Sequence, residues 1–136
     1  MVKIAINGFG RIGKQFLLAC LEHDVNWDFV INENGDMKYI AYALQYDSVH
    51  PMPKNAKIKY DDKFLYFGKR KIRVYSEMDP EKLPWAAEKI DLVVECTGAF
   101  TEREGAMKHI KAGAKKVLIS APAKNHDVTI VYGVNN

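Results

Sequence analysis

Three glycines near the start of the chain are the residues whose spacing points most directly to chemistry. They occur in the run Gly8-Phe9-Gly10-Arg11-Ile12-Gly13, after an apolar stretch at residues 2–6 and before a helix-like stretch at residues 12–23. Gly8 permits a tight turn, Gly10 lets backbone amides approach phosphate oxygens, and Gly13 lets the helix pack closely on a sheet. The start of a helix also favours an anion. This strand, glycine turn and helix predict the binding of a dinucleotide pyrophosphate.

Glu33 lies twenty residues after Gly13, just past a predicted strand at residues 27–32. An acidic side chain at this spacing accepts hydrogen bonds from the hydroxyls of the adenine ribose, and its charge repels a 2′-phosphate. The sequence therefore favours NAD over NADP. A solvated loop acid is the alternative for Glu33, since Asp36 is close by, and Arg11 either reaches the pyrophosphate or stays an exposed arginine.

Polar or glycine-bearing turns follow the other predicted strands. In a parallel sheet the ligand lies beyond the carboxyl ends of the strands, so these turns should converge on one site. They contain Asn7, Asn32, Thr97 with Gly98 and Phe100, and Ser120. We expect Thr97 and Gly98 under the nicotinamide and the Ser120 hydroxyl near the same end. Simple capping of a strand is an equal alternative for both hydroxyls.

The elements that must position these residues follow a βαβ order. Strands are predicted at residues 2–6, 27–32, 91–96, 116–120 and 128–132, and helices at 12–23, 37–46, 85–88 and 101–113. Residues 56–75 form short alternating runs, which indicates an antiparallel hairpin or meander. The prediction is an α/β fold, a Rossmann-type doubly wound sheet of mostly parallel strands with a small antiparallel insertion. The 136 residues make one domain.

Composition narrows the function classes. The chain is 48% hydrophobic and 27% charged, which is typical of a soluble protein, and it has neither a signal peptide nor an apolar run near the ~18 residues that span a bilayer. We expect a cytoplasmic protein with no membrane partner, in which Cys20 and Cys96 are reduced and packed. The net charge of +3 suits anionic small molecules and is too low to indicate nucleic acid.

Two further patterns are interpreted as structural. The four histidines, His23, His50, His109 and His126, lack the spacing of metal ligands, so no metal is predicted. Residues 54–73 carry eight basic residues interleaved with aromatic ones, a mixture that can bind single-stranded nucleic acid. Alternation in a short hairpin should instead turn the aromatic rings inward and the lysines into solvent.

Beyond these patterns, the chain resembles the phosphorylating glyceraldehyde-3-phosphate dehydrogenase family along its whole length. The matching blocks, in family order, are INGFGRIG (6–13), YDSVH (46–50), LPW (83–85), ECTGAF (95–100), GAKKVLISAP (113–122) and VYGVN (131–135). Together they are far more specific than the glycine motif alone. The resemblance implies the NAD-binding Rossmann domain of that family.

The resemblance also implies roles for site residues. Arg11 and Ile12 match the pyrophosphate contacts, Glu33 the ribose-binding acid and Ser120 the nicotinamide-side hydroxyl, while Thr97 and Phe100 would line the same cleft. Two positions depart from the family. The ribose acid is commonly aspartate, and Met78 stands near the adenine where the family usually has an arginine. Glutamate after Ile-Asn also resembles the erythrose-4-phosphate dehydrogenases, which remain an alternative.

In the family, a cysteine attacks the aldehyde, hydride passes to the nicotinamide, and phosphate releases the thioester while a histidine acts as base. Those two residues lie after the segment that matches residues 131–135, and neither Cys20 nor Cys96 matches the cysteine. The resemblance therefore implies a cofactor-binding domain over residues 1–136 that is inactive alone. The family is homotetrameric, and the resemblance also implies that a C-terminal helix absent from these residues packs against this domain. We therefore expect an exposed apolar strip that favours self-association or a bound partner. A standalone nucleotide- or RNA-binding module is the remaining alternative.

Overall fold

The structure is a computed structural model that describes residues 1–46 and 57–135. Its strands are β1 (Val2–Asn7), β2 (Trp27–Asn32), β3 (Ile58–Tyr60), β4 (Phe64–Phe67), β5 (Arg70–Tyr75), β6 (Leu92–Glu95) and β7 (Lys116–Ile119). The helices are α1 (Arg11–Glu22), α2 (Met37–Gln45), α3 (Trp85–Glu88) and α4 (Arg103–Lys111), with a 3₁₀ turn at Pro80–Lys82. These bounds lie within a few residues of the predicted helices and strands.

The described strands form one sheet in the order β3-β4-β5-β2-β1-β6-β7. Strand β1 is central and pairs in parallel with β2 on one side and β6 on the other. Strands β5 and β7 extend this parallel part, whereas β3 and β4 add an antiparallel meander at one edge. Because the chain winds outward from β1 in both directions, a crevice opens at the carboxyl end of β1. The predicted doubly wound α/β fold with its small antiparallel insertion is confirmed.

Helices cover both faces of the parallel strands, which explains why those strands are apolar without alternation. Ile4 and Ile6 of β1 point to one face, where they pack with Leu17 of α1 and Leu44 of α2. Ala5, between them, points to the other face, where it joins the cluster around Trp85 of α3. Both clusters consist of side chains that are almost fully buried. The sheet is therefore held rigidly beneath the turns at its carboxyl edge.

The predicted strand at residues 128–132 is wrong. These residues form no strand and are exposed, Val128 by 65%, Ile130 by 57% and Tyr132 by 92%. Their apolar, β-branched composition resembles that of a buried strand, but a strand also needs a neighbouring strand and a covering layer. In the part of the chain that the structure describes, the sheet ends at β7. The composition of residues 128–132 cannot show whether a neighbouring strand and a covering layer are available.

The meander also corrects one expectation about side-chain direction. The register pairs Phe64 with Arg73 and Tyr66 with Lys71, so these two aromatic residues share a face with the cations. The Lys71 ammonium lies 4.0 Å from the centre of the Phe64 ring. Only the alternate positions turn inward, such as the buried Leu65. The prediction that the aromatic rings turn inward is therefore wrong for Phe64 and Tyr66.

Several sequence features lie outside the described residues. They include residues 47–50 of the YDSVH block, with His50, and the basic residue Lys54. Within residues 1–46 and 57–135, no helix is long and apolar enough to cross a membrane. The same residues contain no group of three or more His, Cys, Asp or Glu side chains placed to hold a metal ion.

Candidate functional site

A cleft of about 320 Å³ opens where β1, β2 and β6 end. Its lining comprises Asn7, Gly8, Gly10, Asn32, Glu33, Asn34, Glu77, Met78, Cys96, Thr97 and Phe100. Eight of these are predicted site residues; the other three, Asn34, Glu77 and Cys96, are not. None of the other six predicted residues lines the cleft: Phe9 and Gly98 lie in the same turns as lining residues, Arg11, Ile12 and Gly13 begin α1, and Ser120 directly follows β7. The structure thus brings the turns after these strands together at one site.

The three glycines of the turn differ in what surrounds them. Gly8 has φ +88°, and a Cβ on it would lie 2.8 Å from the Thr97 backbone nitrogen. A Cβ on Gly13 would lie only 2.2 Å from the Gly8 carbonyl oxygen. A Cβ on Gly10 would meet no atom within 4 Å. Gly8 and Gly13 are therefore required by packing, whereas Gly10 leaves open space in the lining of the cleft.

Helix α1 begins beside that open space. Gly10 is its N-cap residue, so no side chain caps the helix, and the first turn holds no acidic residue. The partial positive charge at a helix start is therefore not offset locally by a carboxylate of that turn. Arg11 and Ile12, the first two residues of α1, are exposed. Their turn presents the positive end of the helix at the cleft, which suits a phosphate group.

Glu33 is fixed against the glycine turn. Its Oε2 accepts a hydrogen bond of 2.5 Å from the Phe9 backbone N–H, and its own N–H donates to the Tyr75 carbonyl. The Phe9 ring is buried in the core on the α1 side of the sheet. Among the described residues, Glu33 Oε1 accepts no hydrogen bond, so this oxygen can accept a hydroxyl in the cleft. The Glu33 side chain is therefore long enough to bind the Phe9 N–H with one oxygen while it lines the cleft.

Glu95 lies buried at the end of β6, directly beneath the cleft. Its Oε1 accepts hydrogen bonds from the Thr97 backbone N–H at 2.8 Å and the Thr97 hydroxyl at 2.5 Å. Its Oε2 accepts from Asn7 Nδ2 at 2.6 Å and pairs with His109 Nε2 at 2.8 Å. Burial alone would raise the pKa of the Glu95 carboxyl, but hydrogen bonds from His109, Thr97 and Asn7 outweigh it and hold this pKa below its ordinary value. The site is therefore built over an ionised carboxylate.

His109, from α4, is fully buried and has a defined tautomer. Trp85 Nε1 donates a hydrogen bond of 3.0 Å to His109 Nδ1. An indole nitrogen can only donate, so Nδ1 must be the unprotonated nitrogen. Nε2 then carries the hydrogen that binds Glu95. Neither Glu95 nor His109 was predicted as a site residue; the one available signal was an acid within the apolar run of β6.

The two asparagines connect the walls of the cleft. Asn32 Nδ2 donates to Asn7 Oδ1 at 2.7 Å and to the Glu77 carbonyl at 2.9 Å, and the Glu77 N–H donates back to Asn32 Oδ1 at 2.9 Å. Asn32 therefore clamps the backbone that carries Met78. Both asparagines are almost fully buried, Asn7 by 98% and Asn32 by 96% of their surface. A continuous set of hydrogen bonds thus runs below the cleft from Thr97 to Glu77.

The comparisons with known proteins agree with this geometry. A family model described as "Glyceraldehyde 3-phosphate dehydrogenase, NAD binding domain" matches residues 2–103, which include both cleft walls. The chain belongs to this family. The predicted resemblance is confirmed, and NAD is the cofactor of the glyceraldehyde-3-phosphate dehydrogenase NAD-binding domain.

Curated relatives match the chain almost end to end. Glyceraldehyde-3-phosphate dehydrogenase 2 of Trichormus variabilis is 46% identical over 138 residues, covering 100% of this chain and 41% of its own length. Glyceraldehyde-3-phosphate dehydrogenase of Geobacillus stearothermophilus is 48% identical over 134 residues, with 98% of this chain and 40% of its own length covered. The Clostridium acetobutylicum relative is 47% identical over 136 residues, with 100% and 40% covered. The chain therefore spans about two fifths of the length of the curated relatives it matches.

The residues that line the cleft are compatible with binding NAD, the cofactor of this family's domain. Open space at Gly10 adjoins the uncapped start of α1, which provides for a pyrophosphate. Glu33 follows β2, and among the described residues one of its carboxylate oxygens accepts no hydrogen bond, which is compatible with a ribose hydroxyl there. Met78 is 79% exposed on the wall beside it, where the resemblance implied that an arginine is usual. At this position of the cleft wall the chain therefore carries a flexible apolar side chain.

The remaining predicted residues have structural contacts. The Ser120 hydroxyl donates a hydrogen bond of 2.9 Å to the Glu95 carbonyl, as expected for the end of a strand. Cys96, which was not predicted as a site residue, also lines the cleft, and burial raises the pKa of its thiol. Burial also raises the pKa of Cys20, which is packed on α1, and both cysteines are free. Neither thiol is thereby activated as a nucleophile, because nucleophilic cysteines need a lowered pKa.

Proposed function

We propose that this chain supplies the NAD-binding portion of a phosphorylating glyceraldehyde-3-phosphate dehydrogenase, with residues 1–136 as the cofactor domain. The observation that carries the proposal is the open space at Gly10, in a cleft beside a helix start that no side chain caps. A turn that leaves its backbone open to the cleft at a helix start is suited to a pyrophosphate, whereas a turn that only reverses the chain needs no such space.

The proposed contacts follow the cleft from one end to the other. Met78 and Asn34 border the adenine, Glu33 accepts the ribose hydroxyls, and the turn at residues 8–13 holds the pyrophosphate. Asn7 and Asn32 form the floor of the cleft. Thr97, Gly98, Phe100 and Ser120 stand on the nicotinamide side. When bound, NAD supplies a hydride acceptor; the residues of this chain bind and orient it.

Oxidation of the phosphorylated aldehyde requires a thiolate and a base that we place outside this chain. Cys20 is buried on α1, and the pKa of Cys96 is raised by burial. The chain with NAD, aldehyde and phosphate should therefore form no NADH. The erythrose-4-phosphate relatives remain the second candidate, because Glu33 follows Ile-Asn as it does in them. RNA binding is disfavoured, since Lys71 already covers the Phe64 ring on which a base would stack.

The proposal is tested by calorimetric titration of the chain with NAD and with NADP. We expect saturable binding that favours NAD. In Glu33→Ala the affinity for NAD should fall about tenfold, as expected for one lost hydrogen bond to a charged group, and the advantage of NAD over NADP should narrow. The 2′-phosphate is then no longer repelled by the carboxylate.

Glu33→Gln is the matched control, because its amide oxygen can still accept the Phe9 N–H and so keep the turn braced. If the charge of Glu33 selects the cofactor, the glutamine variant should lose discrimination to nearly the same extent as the alanine variant. Unchanged discrimination in both variants would remove Glu33 from the ribose role. Failure of the unaltered chain to bind either nucleotide would contradict the proposed function itself.

We also propose that the chain self-associates through the exposed apolar residues at 128–134. Val128, Ile130, Val131, Tyr132 and Val134 are each more than half exposed, and they lie within seven residues of one another. Such a patch commonly marks an interface. Sedimentation velocity at micromolar concentration should show dimers or larger species, which the double variant Ile130→Ser and Tyr132→Ser should convert to monomers. A monomer for the unaltered chain would contradict this proposal.

A further inference from the structure

His109 is fully buried and does not line the cleft. It nevertheless contacts Phe100, which lines the cleft, and Glu95, which binds the lining residues Asn7 and Thr97. We propose that His109 is a positioning residue for NAD, which fixes the shape of the cleft through Glu95 and Phe100. The proposal rests on the proposed NAD site and goes beyond it, because α3 and α4 contribute no residue to the lining of the cleft. It assigns those two helices a role in cofactor affinity.

The first route runs through Glu95. The Trp85 indole fixes the tautomer of His109, so that Nε2–H donates to Glu95 Oε2 and orients the carboxylate. A carboxylate in that orientation receives both the N–H and the hydroxyl of Thr97 on its other oxygen. The Thr97 turn is thereby held at the place where it forms one wall of the cleft.

The same carboxylate also holds the opposite wall. Glu95 Oε2 accepts from Asn7 Nδ2, which fixes the amide so that Asn7 Oδ1 faces Asn32. Asn32 in turn binds both the N–H and the carbonyl of Glu77. The two walls are therefore joined by one buried set of hydrogen bonds. In a low-dielectric interior such a set is rigid when it is complete, and among the described residues no buried side-chain polar atom lacks a partner.

The second route is direct contact with Phe100. The Phe100 and His109 rings meet edge to face, with centroids 6.3 Å apart and planes at 83°. On its other side His109 meets Trp85 edge to edge through the hydrogen bond from the indole N–H, with ring centroids 6.4 Å apart and planes 24° from parallel. The imidazole is thus enclosed between a fully buried indole and a ring that lines the nicotinamide side. A change at His109 should displace Phe100 as well as Glu95.

The test compares His109→Leu with His109→Gln by calorimetric titration with NAD, at a temperature at which each variant is folded. Leucine fills the space but donates nothing to Glu95, so the Kd should rise about tenfold, as for other changes within coupled networks. Glutamine offers one acceptor for Trp85 and one donor for Glu95, so most of the affinity should return. Leu65→Ala, in β4 away from the cleft, is the control that lowers stability without changing the Kd.

A folded His109→Leu variant with the affinity of the unaltered chain would overturn the proposal. Hydrogen exchange provides a readout that needs no NAD. In His109→Leu the Thr97 amide should exchange faster by a larger factor than the Ile4 amide in central β1, because the acceptor of Thr97 is no longer oriented. Equal acceleration of both amides would reduce His109 to a general structural role. Failure of the proposed function is separate, since it would appear as absence of NAD binding by the unaltered chain.

Discussion

Glu95→Gln should destabilise the folded chain by about 3 kcal/mol, although it only replaces one carboxylate oxygen by an amide nitrogen. Both oxygens of Glu95 accept two hydrogen bonds each. Wherever the new NH₂ group is placed, it faces donors that need an acceptor. Equilibrium denaturation of both proteins at neutral pH measures the difference.

The surroundings of Glu95 cannot adapt to the glutamine. His109 cannot move its hydrogen to Nδ1, because the Trp85 indole already donates there at 3.0 Å. The Thr97 backbone N–H has no acceptor function, and the Asn7 amide is fixed on its oxygen side by Asn32. Because the group is nearly fully buried, water cannot substitute. A loss below about 1 kcal/mol would mean that the network rearranges, contrary to this account.

The same variant should change the pH dependence of stability. Because the folded-state pKa of Glu95 is lowered below its ordinary value of about 4.5, its stabilisation is fully present above that pH. It is lost as the pH falls through the folded-state pKa. A protonated Glu95 presents a donor just as glutamine does, so the two proteins should approach equal stability in acid. A difference that stays constant with pH would exclude ionised Glu95 as the cause.

The sequence predicted those parts of the molecule that depend on local pattern. The apolar parallel strands, the amphipathic α1 and the turn at Gly8 each carry their signal within a few residues, and the order of the elements determines the doubly wound sheet. The convergence of Asn7 and Asn32 at the cleft followed from the rule that strand ends meet at one edge. Chain topology alone was sufficient for that prediction.

The parts that the sequence did not predict depend on partners distant along the chain. Glu95 lies fourteen residues before His109, and Trp85 lies twenty-four residues before it. Nothing in the local pattern of α4 distinguishes a buried histidine with two partners from a surface one. The strand prediction for residues 128–132 is wrong for a related reason. Their local pattern is that of a strand, but among the described residues no neighbouring strand pairs with them.

The two glycines Gly10 and Gly13 should respond in opposite ways to substitution. Gly13→Ala should destabilise the chain by about 3 kcal/mol, since its Cβ would lie 2.2 Å from the Gly8 carbonyl oxygen and neither backbone can yield easily. Alanine is the better helix former by about 1 kcal/mol, which is too little to reverse the sign. Thermal or chemical denaturation measures this loss directly.

Gly10→Val should leave the fold largely intact, because its Cβ meets no atom within 4 Å and the backbone, at φ −77°, accepts any residue. The valine side chain would instead occupy the space proposed for the pyrophosphate, and NAD affinity should fall about a hundredfold or more as several hydrogen bonds are lost. Binding of NAD by Gly10→Val at the original affinity would refute the phosphate assignment. Because Gly13→Ala acts on stability and Gly10→Val on binding, the pair separates the glycine that packs the helix from the glycine that admits the ligand.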